Sequence, residues 1–122
     1  MSFAENSNQY LDTLGGIILD AAITVHKELG PGLLESAYQL ALARELTLRC
    51  ILNKKQIPVE LFYKEESLGK AYVIDILVEE SIIIEVKAVE IMHPIYQAQL
   101  ITYLKLSNLR LGYLIKQSVI IP

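Results

Sequence analysis

Asp75, Glu85 and Lys87 are the residues of this 122-residue chain whose types and spacing best suit chemistry. Two apolar runs, residues 71–78 and 82–89, flank a short polar turn of Glu79, Glu80 and Ser81. Both runs are rich in β-branched residues and carry apolar side chains on both faces, the pattern of strands buried on each side. A three-residue turn sets Asp75 opposite Glu85, and Lys87, two residues on, shares their face because side chains alternate along a strand. A two-residue turn instead sets Asp75 beside Ile84 and sends the two carboxylates to opposite faces. An isolated buried carboxylate costs several kcal/mol unless it is paired or bound to a metal. One lysine against one carboxylate makes a buried salt bridge. Two carboxylates against one lysine leave surplus negative charge, which suits a divalent metal or catalytic site better.

The elements that must position these groups follow from periodicity. From about Asp12 to Leu29 apolar residues recur at helical spacing, among them Leu14, Ile18, Ala22 and Val25. Gly30-Pro31-Gly32 stops that helix, Gly30 being suited to a left-handed C-terminal position and Pro31 unable to continue. A second helix is expected from about Leu33 to Cys50, a strand over residues 57–63, and a turn over residues 64–69 leading into the central hairpin. Pro94 fits the first turn of a third helix running to about Leu106, Ser107 and Asn108 end it, and residues 109–115 read as a last strand. The order α-α-β-β-β-α-β predicts an α/β (α+β) fold, a mixed sheet of about four strands flanked by helices. Residues 1–122 form a single domain, with residues 1–11 expected as a flexible N-terminal segment.

Other polar residues belong beside the hairpin. Gln99 and Tyr103, four apart, share one face of the third helix, which starts only a few residues after Lys87. Either they reach the site, or Tyr103 is a core aromatic with a wet tip. Glu35 and Tyr38 open the second helix. Glu35 either complements the helix dipole or adds a carboxylate to a metal. His26, beside Val25 and Leu29, reads as a boundary histidine outside the site.

Composition narrows the classes. The hydrophobic fraction is 52% and charged residues make 20%, which describes a globular chain and not a disordered one. A single cysteine, Cys50, in an apolar helical stretch reads as a small core residue in a reducing, cytoplasmic setting. No basic-then-apolar leader opens the chain, and no apolar run approaches the ~18–20 residues that cross a bilayer. Eleven Lys and Arg against fourteen Asp and Glu give a net charge of −3 and no basic footprint for nucleic acid. The mean hydropathy of +0.36 in so short a chain points to apolar surface covered by a second copy, hence a homodimer.

The stretch 23–38, with Gly32-Leu-Leu-Glu35-Ser-Ala-Tyr38 at its end, closely resembles the GxxExxY protein family. The resemblance continues through Ile57-Pro-Val, Ile74-Asp75, residues 85–90, residues 94–104 and residues 111–115, so it covers nearly everything from 15 to 115. That family is assigned to the PD-(D/E)XK nuclease-like superfamily, whose signature falls here on Asp75 and then Glu85-Val86-Lys87. Gln99-Leu-Ile-Thr-Tyr103 looks like the QxxxY motif of the superfamily's exonuclease-like branch.

The resemblance implies a restriction-endonuclease-like core and a Mg²⁺-dependent phosphodiester hydrolase, with Mn²⁺ as a substitute, acting on nucleic acid, DNA ahead of RNA. In that reading Asp75 and Glu85 hold the metal, helped by Glu35 and the main-chain carbonyl of Val86. Lys87 orients the attacking hydroxide, and Gln99 and Tyr103 position the phosphate or the lysine. Some flanks depart from the family pattern. Val73 and Ile74 stand where an arginine is common, and Tyr96 and Gln97 where a histidine and a glutamate often follow the proline. Residues 115–118 replace an Ile-Asn-Phe-like strand end. A locally basic groove from Lys54, Lys55, Lys64, Lys70 and Lys105 would offset the acidic balance. The alternative class is a catalytically inactive protein of the same fold that acts as a homo-oligomeric interaction module.

Overall fold

A computed structural model describes residues 8–89 and 91–116 of the chain. Helix α1 (Asn8–Leu29) turns Leu11, Leu14, Ile18, Ala21, Ala22 and Val25 inward at three- and four-residue steps. It begins four residues ahead of the expected start at Asp12, and Leu11 is already buried, so residues 8–11 are not part of a flexible arm. Residues 1–7 lie outside the described residues. As expected, Gly30 takes a left-handed conformation (φ 75°) and its N–H bonds to the His26 carbonyl at 2.9 Å, closing the helix.

Helix α2 (Glu35–Leu48) packs beside α1. It stops before Cys50, which sits in a left-handed conformation (φ 63°) just past the helix. There the N–H of Cys50 bonds to the Thr47 carbonyl at 3.0 Å and that of Ile51 to the Leu46 carbonyl at 2.9 Å. This paired closure turns the position after the cap toward solvent. Cys50 is therefore an exposed free thiol, not the core residue expected from its apolar neighbours.

Four strands follow in the sheet order β1-β2-β3-β4. They are β1 (Asn53–Tyr63), β2 (Glu66–Val78), β3 (Ile82–Lys87) and β4 (Leu111–Lys116). The first three form an antiparallel meander, and helix α3 (Pro94–Ser107) carries the chain back to lay β4 parallel to β3. The β1–β2 turn has only two residues, Lys64 and Glu65, both left-handed (φ 50° and 71°), where the sequence suggested six. Helices α1 and α2 cover one face of the sheet, burying Ile18, Leu42 and Leu46 against Ile76, Val78, Ile82, Ile84 and Val86. Helix α3 covers the other, where Leu100 and Tyr103 meet Val59, Ile74 and Ile83. No described helix is long and apolar enough to cross a membrane.

Candidate active site

The β2–β3 turn has three residues, and the ladder pairs Val78 with Ile82, Leu77 with Ile83, and Ile76 with Ile84. The next step places Asp75 opposite Glu85. At that step the carboxylates take over from the main-chain ladder. The Asp75 N–H donates to Glu85 Oε2 at 2.8 Å, and the Val86 N–H donates to Asp75 Oδ2 at 2.9 Å. Glu85 is only 4% exposed. Burial pushes its carboxyl up to about 7, with the negative charge of Asp75 adding to the rise. Asp75 is also raised, chiefly by burial, with the Val86 N–H pulling the other way.

The sheet changes its facing at the same level. In β1 and β2, Ile57, Val59, Tyr72 and Ile74 pack toward α3, whereas Ile76 and Val78 pack toward α1 and α2. Ile74 and Ile76 would share a face in an undisturbed strand. Between them lies Asp75, and across from it on β1 Gln56 has a positive φ of 54°, with Lys55↔Ile76 and Ile57↔Ile74 pairing on either side. This local twist sets the carboxylate of Asp75 at the seam between the helical layers.

Lys87 ends β3, and its charge favours the ionised forms of both Asp75 and Glu85. The ion pairs among the described residues are Arg49–Asp20, Arg49–Glu45 and Lys54–Glu80, and Lys87 is in none of them. Its ammonium instead stands 4.9 Å from the centre of the Tyr96 ring. The buried salt bridge that would account for the cluster structurally is thus absent among the described residues.

Tyr103 is 8% exposed, packs its ring 5.3 Å from that of Tyr72, and is raised by burial and then by the negative charges of Glu85 and Asp75. It is both a core aromatic and a neighbour of the acidic pair. Gln99, one turn earlier, is exposed, and among the described residues it makes no hydrogen bond to Asp75, Glu85 or Lys87. Glu35 raises both carboxyls through its charge, but its Oε2 accepts the Ala88 N–H at 2.9 Å. Among the described residues no group of three or more His, Cys, Asp or Glu side chains is gathered tightly enough to hold a metal ion. Glu35 therefore acts on the Asp75–Glu85 pair through its charge while its carboxylate is engaged at Ala88. Tyr38 has a different task, since it is 2% exposed and its hydroxyl donates to the Ala22 carbonyl at 3.0 Å, tying α2 to α1.

Three neighbours of the site escaped the sequence reading: Tyr96, Gln39 and Gln56. Gln39 had a visible signal. It follows Glu35 by four residues and falls on the stripe that buries Tyr38, Leu42, Ala43 and Leu46. The lysines expected to make one basic groove do not converge, for Lys54 and Lys64 stand at opposite ends of β1 and its turn, and Lys54 pairs with Glu80 at 2.6 Å.

The family model of the PD-(D/E)XK nuclease superfamily matches residues 12–120. The chain belongs to that superfamily. The three helices and four-stranded mixed sheet, in the order α-α-β-β-β-α-β, are the restriction-endonuclease-like fold of the PD-(D/E)XK nucleases. Nucleases of the PD-(D/E)XK superfamily generally use divalent metals. No curated protein and no solved structure matches the chain. The match runs past β4 into residues 117–120, which lie outside the described residues, as does Glu90 of the motif around Lys87.

Proposed function

We propose that the protein is a Mg²⁺-dependent nuclease, with Mn²⁺ able to substitute, which hydrolyses phosphodiester bonds in nucleic acid and in DNA ahead of RNA. The observation that carries this reading is the Asp75–Glu85 pair, one carboxylate half-buried and the other buried, bound to each other's strands with no cation in ion-pair contact among the described residues. Their oxygens fit a hard cation that takes few protein ligands and keeps several waters. Asp75 and Glu85 would hold the ion directly, with the Val86 carbonyl, and Glu35 would act from behind through water.

When bound, the metal supplies charge at the phosphate and a more acidic water. The chain's own residues do the rest. Lys87, held over Tyr96, presents a proton-bearing cation where negative charge builds on the phosphate. The Tyr103 phenol, beside the acidic pair, stays protonated and can donate to a phosphate oxygen. Gln99, exposed on the same helix, would meet the substrate as it arrives. A cytoplasmic setting, which keeps a lone exposed thiol such as Cys50 reduced, suits the chain. A homodimer is part of the proposal. Leu19 and Ile23, one turn apart on α1, are 44% and 53% exposed.

A second reading, a catalytically silent module working through self-association, is favoured by that same apolar surface and by the dispersed lysines. Neutralisation of phosphates by Lys and Arg supplies most non-specific nucleic-acid affinity. The test is cleavage of labelled single- and double-stranded DNA and RNA with Mg²⁺ or Mn²⁺, with Asp75→Asn in parallel. Metal-dependent cleavage lost in the variant supports the nuclease and identifies its substrate. No cleavage above the variant on any of the four favours the module.

A further inference from the structure

Gln39 is a buried polar side chain, 9% exposed, on the apolar stripe of α2. Burying an amide without partners is unfavourable, so its partners explain why it is there. Gln56 Nε2 donates to Gln39 Oε1 at 2.8 Å. With its carbonyl oxygen engaged, what Gln39 has left to offer is its amide NH₂. The carboxyl beside it is that of Asp75, which lies across the sheet from Gln56 and whose charged form the Gln39 amide favours. The reverse orientation of the amide would set a carbonyl oxygen against that carboxylate and leave two donors facing each other at Gln56. The chain Gln56→Gln39→Asp75 therefore has one sense.

The backbone is adapted to the same chain. Gln56 keeps a left-handed conformation (φ 54°) inside a strand, a strained geometry for a non-glycine residue. An undisturbed β1 would alternate Lys55 and Gln56 between faces. Instead Ser36, Gln39, Leu40, Lys55 and Gln56 line one cleft between α2 and β1, so both strand residues lie on the α2 side. This is the level at which β2 switches the facing of Ile74 and Ile76 around Asp75. The strain thus sits directly across the sheet from Asp75 and brings the amide of Gln56 to Gln39.

We infer that Gln39, oriented by Gln56, is a positioning residue for Asp75, holding its carboxylate in the rotamer that receives the metal. This inference rests on the metal-dependent reading of the Asp75–Glu85 pair. Neither glutamine touches the reacting atoms. Glu85 has no such support from α2, since its own bond runs to the Asp75 N–H. The two carboxylates are therefore held by different means, Glu85 by the neighbouring strand and Asp75 by both the strand and the helix.

The experiment titrates Mn²⁺ alone into the full chain, as wild type, Gln39→Met, Gln56→Met and the double variant, with melting temperature recorded for each. Methionine keeps length and volume while removing the amide. Partners that orient a metal ligand typically contribute 10–100-fold in affinity or activity. Gln39→Met should weaken Mn²⁺ binding by about 10-fold and Gln56→Met by about 3-fold, with the double variant no weaker than Gln39→Met. That non-additivity distinguishes a chain of orientation from two separate packing defects. Gln56 is exposed, so its variant remains informative even if Gln39→Met folds poorly. Wild-type affinity in the Gln56→Met variant, or effects that multiply in the double variant, overturn the inference alone. A wild type that binds no Mn²⁺ overturns the metal reading and the inference with it.

Discussion

Asp75 and Glu85 each accept a main-chain N–H from the other's strand, Asp75 from Val86 at 2.9 Å and Glu85 from Asp75 itself at 2.8 Å. The sheet ladder is thus continued by side chains where two like charges meet. Each carboxylate helps to hold the other's strand, and neither can leave without freeing a buried donor. The arrangement fixes two carboxylates on adjacent strands and leaves them without an ion-pair partner among the described residues.

One consequence is an unusual dependence of stability on pH. The Glu85 carboxyl rises from its ordinary 4.5 to about 7 on folding, and Asp75 shifts in the same direction. A folded-state pKa above the unfolded one means that the folded protein binds the proton more tightly. The associated stability is fully present below about pH 4.5 and is lost as pH rises to about 7. Its size is about 3 kcal/mol as an upper bound, at 1.36 kcal/mol per pKa unit. Metal-free wild type should lose stability relative to Glu85→Gln across that window, measured by chemical denaturation. Saturating Mn²⁺, which binds the ionised form, should remove the loss.

Lys87→Ala should separate binding from chemistry. Its ammonium lies over Tyr96 and outside ion-pair range of the acidic pair. The substitution should leave Mn²⁺ affinity within about 3-fold of wild type while lowering cleavage by about 100-fold or more, the scale for losing one donor to developing charge. Equal cleavage by both proteins would remove Lys87 from the reaction.

Two adjacent glycines should respond in opposite directions. A Cβ on Gly15 would collide with the Tyr113 hydroxyl of β4, whereas one on Gly16 would meet nothing within 4 Å. Gly15→Ala should destabilise by about 1–3 kcal/mol through overpacking. Gly16→Ala should stabilise by about 0.5–1 kcal/mol, because alanine loses less conformational freedom in a helix. Thermal unfolding of the two variants reads both signs.

Tyr38→Phe should cost about 1 kcal/mol, since it removes the bond from the buried hydroxyl to the Ala22 carbonyl. The effect belongs to the α1–α2 junction. Mn²⁺ affinity should stay at the wild-type value, in contrast to Glu35→Gln, whose side chain reaches the main chain at Ala88 beside Lys87.

Much of this arrangement was legible in the sequence where local chemistry and burial agree. Gly30, Pro94 and the turn of Glu79, Glu80 and Ser81 punctuate long apolar patterns and mark out the element order, while the register stayed open between a two- and a three-residue turn until the ladder set Asp75 against Glu85. The start of β1 was hidden because Lys54 and Lys55 lie on an exposed edge strand, where no apolar alternation is required. The tight turn at Lys64 and Glu65 was hidden because both adopt positive φ without glycine or asparagine to announce it. Cys50 misled for the same reason, holding a left-handed helix end that usually falls to glycine. Tyr96 and Gln56 join the site only through the crossover of α3 and the strained twist of β1, which no local spacing encodes. Gln39 was within reach, being a polar residue on an otherwise apolar stripe one turn after Glu35.

The most direct measurement is a calorimetric titration of Mn²⁺ into the purified protein and into Asp75→Asn, both shown to be folded by circular dichroism. A metal site at Asp75 and Glu85 requires saturable binding by the wild type, competed by Mg²⁺ and weakened at least about 10-fold in the variant, since one of two carboxylate ligands is lost. A wild type without saturable binding, or a variant that binds equally well, would contradict a metal site at Asp75 and Glu85.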